Sequence, residues 1–426
     1  MASNFNKEER VMFDNAVGKF EDGEILAKAV RKSDLTADAQ MMERANNVLW
    51  RRQPYTVVAN TSQDQTGLFN GITQLSVPLT LSYRAAFPMS LTQNELRDPN
   101  QLKWASDAAV DAIGAKINSS ITDAICLQGS VVIKQTTAPT GFNDLALANA
   151  RLNQRGCVNA RRVAGIDPEA YRLMASDLAQ RQVLQAGKTL TAYEEAMIGK
   201  IAGFDTLALP YTKSLAAKTA TGVTLTTAAG SNWVPKATST AASGETSNVD
   251  NRFQTIGVTV TSGTLAVGDC FTIANIYSVH NTTKQSTGQL MTFRVSAIVT
   301  GGGGTGTIQI TPPIINNAGA TTAELQYQNC TGALANGAVI TLLNTVSGNV
   351  LPFFDERAVE LLPGKLPMSN EGGMNQLSYT TKSGMNIVLS KQADINTRSF
   401  KYVWETFYGV GILNTEMCGI ILFNQT

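Results

Sequence analysis

Apolar side chains recur at helical spacing near the start of the chain. Between Lys7 and Lys32, Phe13, Val17 and Phe20 share one face, and Ile25, Leu26, Ala29 and Val30 form a second short stripe beyond Gly23. This predicts an arm of one or two amphipathic helices, which either packs on its own domain or docks on a neighbouring molecule. From Trp50 to Tyr83 the period changes from helical to alternating. A first strand is predicted near Tyr55–Ala59, then a polar tip over Asn60–Gly71, then a second strand in which Leu75, Val77, Leu79 and Leu81 alternate with polar positions. Pro78 falls in the polar phase, as on an edge strand. The tip is long for a compact hairpin and is expected to reach outward.

The clearest helix follows Asp98-Pro99. Ala105, Ala109, Ile113, Ile117, Ile121 and Ile125 stand four residues apart, Asp98 is suited to cap the helix and Pro99 to open its first turn. From Asn143 to Gln182 helical and strand signals alternate, and Asp167-Pro168-Glu169 starts another helix. A short helix over Tyr193–Ile198 and a strand within Ala202–Leu209 complete an α+β region. Near Thr219 the composition shifts to Thr, Ser, Gly and Ala. Short alternating runs at Thr255–Val260, Phe271–Ile276, Met291–Ile298 and Thr307–Thr311, with a tip at Gly301–Gly304, predict a small antiparallel barrel inserted into the host domain. The host resumes near Asn349–Phe354, and strands at Met385–Ser390 and Cys418–Phe423 close the chain.

With 426 residues, 43% hydrophobic and 16% charged, the chain has a true core and room for more than one structural unit. Its 34 basic and 33 acidic side chains leave a formal charge of +1. There is no positive excess to release counterions from a phosphate backbone, so specific DNA binding is disfavoured. The five cysteines, Cys126, Cys157, Cys270, Cys330 and Cys418, are odd in number and without a C-x-x-C pair, which predicts reduced, mostly buried thiols. Neither the polar N-terminal segment nor any later stretch predicts secretion or membrane insertion.

Chemistry is sparse. His280 is the one histidine and sits in the polar run Ser278–Thr282, so a nucleophile–histidine pair or a histidine metal site has little to build on. The acidic doublets Glu194-Glu195 and Asp355-Glu356 are read as solvated surface, and the basic doublets Arg51-Arg52 and Arg161-Arg162 as ordinary surface charge. Gly301–Gly304 lacks the Lys-Ser/Thr of a phosphate loop. No catalytic, cofactor-binding or metal-binding residue is assigned, and no cofactor is expected.

In order along the chain, Asn94-Glu95-Leu96-Arg97-Asp98, Ala202-Gly203-Phe204-Asp205 with Leu209-Pro210, Thr219-Ala220-Thr221-Gly222, Asn248-Val249-Asp250-Asn251-Arg252-Phe253 and Tyr408-Gly409-Val410 resemble the P22-like coat proteins, which carry an insertion domain on the HK97-like capsid fold. The likeness covers most of the chain. It implies an α+β major capsid protein with an N-terminal helical arm (1–48), an extended β-hairpin loop (49–96), a spine helix and peripheral domain (97–142), an axial and peripheral body (143–222), an inserted β-barrel (223–346) and a return to the axial and peripheral domains (347–426).

The implied subunit forms hexamers and pentamers of an icosahedral shell. Its implied partners are further copies of itself, a scaffolding protein, a portal protein and packaged double-stranded DNA held non-specifically, with no membrane. Assembly in the host bacterial cytoplasm, expansion on packaging and residence in the virion capsid follow from the same likeness. Subunit-contact candidates are Phe13, Val17 and Phe20 on the arm, Leu75, Val77, Leu79 and Leu81 on the hairpin, and Glu245 in the stretch Lys236–Ser247. That stretch is less acidic here than in the family pattern. The alternative, a β-rich phage tail or surface-adhesion module, draws on the Thr- and Gly-rich second half but leaves the spine helix and arm unexplained.

Overall fold

The computed structural model describes residues 5–32, 48–52, 63–64, 66, 69, 71–157, 161–180, 199–210, 213–226, 232–319, 321–332, 334–366, 374–394 and 396–426, with backbone alone at 48–52, 99 and 177–180. The strand expected at 55–59, most of the polar tip, the helix expected at 193–198 and the doublet Glu194-Glu195 lie outside these residues. Two compact units share the chain: residues 1–49, 79–121 and 360–411 form the first, and 50–78, 122–359 and 412–426 the second.

The first unit opens with the helix Lys7–Gly23, capped where the Glu9 carboxylate accepts the Asn6 N–H at 2.9 Å. Its apolar face, Met12, Phe13, Ala16, Val17 and Phe20, is buried, and Phe13 stacks on Trp404 with ring centroids 5.4 Å apart. The second stripe is a turn rather than a helix: the N–H groups of Ala29 and Val30 both donate to the Leu26 carbonyl. Asn118 on the long helix holds that turn, donating to the Gly23 carbonyl at 2.9 Å and accepting from Leu26 N–H at 3.1 Å.

The sheet of this unit runs Arg31–Lys32, Val359–Pro363, Ser399–Ile412, Asn386–Asp394, Asn375–Thr380, and Tyr83–Thr92 also pairs with Ser399–Ile412. That last pairing is antiparallel from Tyr83↔Tyr408 to Thr92↔Ser399. The strand Ser76–Thr80 pairs with Val48–Arg52.

The helix Pro99–Gln128 contributes residues to both units. Asp98 caps it by accepting the Asn100 N–H at 2.9 Å. Ala109, Ile113, Ile117, Ile121 and Ile125 are buried, as their spacing requires.

In the second unit, Val131–Lys134 lies parallel to Cys418–Leu422, which is antiparallel to Gly348–Asp355. Arg162–Ile166, Phe204–Ala208 and Lys200–Ile201 extend the sheet, and Ser214–Leu215 pairs with the start of Gly348–Asp355. Leu145 and Leu152 of the helix Phe142–Gln154 and Met174 of the helix Pro168–Gln180 cover it, over a core holding Phe204 edge-on to Phe353 at 6.0 Å.

A closed six-stranded antiparallel barrel is the other half of the unit. Its strands run around the wall as Ser286–Thr300, Gly304–Thr311, Gln254–Ser262, Thr221–Leu225, Val339–Leu342 and Cys270–Val279, which returns to Ser286–Thr300. Ile256, Val258 and Val260 point inward between outward Thr255, Thr259 and Thr261, and the interior is filled by residues such as Phe271, Phe293, Ile308 and Ile340. Gly263 must be glycine: its φ is +78°, and a Cβ there would lie 2.1 Å from the Thr219 carbonyl oxygen.

Candidate assembly surfaces

Seven of the eight expected contact residues are buried within the chain itself. Phe13, Val17 and Phe20 line the buried face of the N-terminal helix, with Phe13 stacked on Trp404. Leu75 packs with Ile315 and Tyr327, while Leu79 fills the space that a side chain at residue 411 would occupy; a Cβ on Gly411 would lie 1.9 Å from its Cδ2. Val77 and Leu81 are also buried. The alternation that marked the strand therefore marks a face covered by its own chain. The stretch leading into this strand is stitched down: Tyr327 Oη accepts the Leu75 N–H at 3.1 Å, and Gln326 bonds both Thr73 N–H and the Gly71 carbonyl at 3.0 Å.

Glu245 is different. It sits on a two-stranded hairpin, Thr238–Thr240 with Thr246–Asn248, in which every strand residue is exposed. The turn closes with Ala241 N–H donating to Glu245 O at 2.8 Å and Gly244, at φ +88°, donating to Ala241 O at 2.9 Å. The hairpin has no apolar face to bury, so its base must hold it. Asn251 does so from a site 2% exposed: Oδ1 accepts from Lys236 N–H at 3.1 Å and Trp233 Nε1 at 3.3 Å, and Nδ2 donates to the carbonyls of Lys236 at 2.8 Å and Val249 at 3.1 Å. Next to it, Arg252 clasps Asp250 at 2.7 Å and donates to the Ile412 carbonyl at 2.8 Å. A short polar projection on a hydrogen-bonded base, with one carboxylate near its tip, is suited to reaching another molecule.

Nδ1 of His280 accepts the N–H groups of Thr282 and Thr283 at 3.3 Å, ordering its own turn. All five thiols are buried and unpaired, and burial pushes Cys126 up to about 12 and Cys157 and Cys270 to about 11. Two surface readings are corrected. Asp355 is fully buried and holds Arg357 through both carboxylate oxygens at 3.0 Å. Arg162 is buried against the Asn149 and Cys157 carbonyls and Asn153 Oδ1, although Arg161 does remain at the surface, paired with Asp205 at 2.8 Å. Among the described residues no three His, Cys, Asp or Glu side chains gather as a metal site, and no helix is long and apolar enough to cross a membrane.

The family described as "P22 coat protein - gene protein 5" matches residues 1–424. Among solved structures, the CUS-3 coat protein I-domain is 34% identical over 30% of this chain and 98% of that one, with a TM-score of 0.22. A structure of Mycobacterium phage Che8 is 10% identical over 93% of this chain and 90% of that one, with a TM-score of 0.43. The capsid of the cyanophage P-SCSP1u is 11% identical over 92% and 89%, with a TM-score of 0.39.

Proposed function

The chain belongs to the P22 coat protein family, and from that membership we propose how its surfaces serve a phage shell. It is a structural capsid protein and not an enzyme. Its fold is the α+β, HK97-like capsid fold with an inserted barrel. The family match over residues 1–424 carries this reading. A tail or adhesion module does not accommodate a match that spans both the helical first third and the barrel.

In the proposed assembly, copies of the chain associate into hexamers and pentamers around a scaffolding protein in the host cytoplasm. One vertex takes a portal protein, and the shell expands as double-stranded DNA enters. A formal charge of +1 suits a wall along which DNA must slide. The hairpin bearing Glu245 is the proposed contact between neighbouring capsomers, because its strands are exposed on all residues while its base is fixed. Many modest contacts of this kind add up when symmetry closes the shell. The test is negative-stain electron microscopy of the protein expressed with and without its neighbouring scaffold gene. Uniform closed shells with the scaffold and monomers or misshapen particles without it support the proposal; uniform shells in both samples would remove the scaffold from it.

A further inference from the structure

Within the second unit, the C-terminal end of the helix Phe142–Gln154, the strand Val131–Lys134 and two barrel strands border an open cavity of about 320 Å³. Arg151, Gln154, Arg155, Thr272, Ser278 and Thr292 contribute polar groups to its wall, and exposed Gly288, Gln289 and Leu290 form its rim. No aspartate or glutamate lines it.

Arg155 is only 7% exposed. Its described hydrogen-bond partners are two neutral hydroxyls, Ser130 Oγ at 3.2 Å and Thr292 Oγ1 at 3.4 Å. Arg151, one helical turn earlier, donates to the neutral Gln154 Oε1 at 3.3 Å. Like charges four residues apart repel, and burial lowers the pKa of both guanidiniums; Glu416 opposes that lowering at Arg155, while Arg151 adds to it. The helix terminus does not need them, since the carbonyls of Arg151, Leu152 and Asn153 already accept the N–H groups of Arg155, Cys157 and Gly156. Lys134, also on the wall, is engaged by the Thr426 carbonyl oxygen at 2.5 Å. Buried Arg155 and half-buried Arg151 therefore face a cavity whose lining residues include no carboxylate, an arrangement that an anion would complete.

We propose that this cavity binds a phosphate-class oxyanion, gripped between the Arg151 and Arg155 guanidiniums with neighbouring hydroxyls as additional donors. The source is either free inorganic phosphate or a phosphodiester of nucleic acid, which share the chemistry the site reads.

The experiment is isothermal titration of the purified full-length protein with inorganic phosphate, against sodium chloride at matched ionic strength. It is repeated on Arg151→Gln, whose side chain is half-buried and makes one described hydrogen bond, and on Arg155→Lys, which keeps the charge but loses the planar fork. Saturable phosphate binding, weakened about tenfold or more in Arg151→Gln, is expected. Circular dichroism establishes that each variant is folded. Absence of phosphate binding beyond the chloride control, or binding equal in wild type and a folded Arg151→Gln, would overturn the proposal. In a competition arm, displacement of phosphate by a short DNA duplex assigns the site to phosphodiesters, and retention of phosphate assigns it to the free ion.

Discussion

Replacing Asn251 with alanine tests how the projecting hairpin is held. The side chain makes four hydrogen bonds, to Trp233 Nε1, Lys236 N–H, Lys236 O and Val249 O, at 2.8 to 3.3 Å. Each such bond contributes a net value of about 1 kcal/mol, so the four together approach about 4 kcal/mol. Water reaches part of the exposed hairpin base in the variant and recovers some of this, leaving about 2–3 kcal/mol. No strand residue of the hairpin is buried, so little else opposes its opening. Amide hydrogen exchange over Thr238–Asn248 is the direct assay. Local opening eased by about 2–3 kcal/mol raises exchange there by about 30- to 150-fold. The barrel interior, with Phe271 and Phe293 fully buried, keeps its protection. Exchange within about threefold of wild type would refute the clamp and show that the hairpin is held by its own ladder.

Three further predictions follow from the same packing. Phe13→Ala removes a ring that is 6% exposed and stacked on Trp404, at a cost of about 3–5 kcal/mol, and should make the N-terminal helix a site of rapid limited proteolysis; cleavage no faster than in wild type would contradict it. Glu24 is 1% exposed, and burial raises its carboxyl pKa above the ordinary 4.5 despite the Ser383 hydroxyl, Lys32 and Lys28. Its contribution is therefore present below pH 4.5 and lost as pH rises through the folded-state value, so Glu24→Gln should melt higher than wild type at neutral pH and converge with it in acid, whereas parallel melting curves would exclude this. The five buried thiols should resist a thiol reagent in the native protein and all react after denaturation; rapid native labelling would show that one of them is accessible.

Local patterns in the sequence reveal much of this architecture. The isoleucines at intervals of four mark the buried face of Pro99–Gln128, and the Thr/Val and Thr/Ile alternation marks the barrel wall. What escapes such reading is set by partners far along the chain. The pairing of Tyr83–Thr92 with Ser399–Ile412 joins segments more than 300 residues apart, and no local period announces it. The stripe at Ile25–Val30 has helical spacing but forms a turn, to which Asn118 of the distant long helix bonds at Gly23 and Leu26. Charged doublets mislead for a related reason. Arg162 and Asp355 carry the same local signature as surface residues, and only the helix end and Arg357 that meet them make burial affordable. Arg151 and Arg155 are separated by one helical turn, a spacing visible in the sequence, but the acid-free cavity they face is not. On the contact surfaces, apolar stripes pointed to Phe13 through Leu81, whereas exposure leaves Glu245 alone of the eight.

A symmetric cryo-electron-microscopy reconstruction of particles from cells expressing the chain with the proposed scaffolding protein tests most directly whether this chain forms the wall of a closed shell. Icosahedral shells whose sixfold and fivefold positions are both built from this chain are expected, with the Thr238–Asn248 hairpin at the junction between capsomers. Discrete trimers or fibres, with no closed particle, would contradict it.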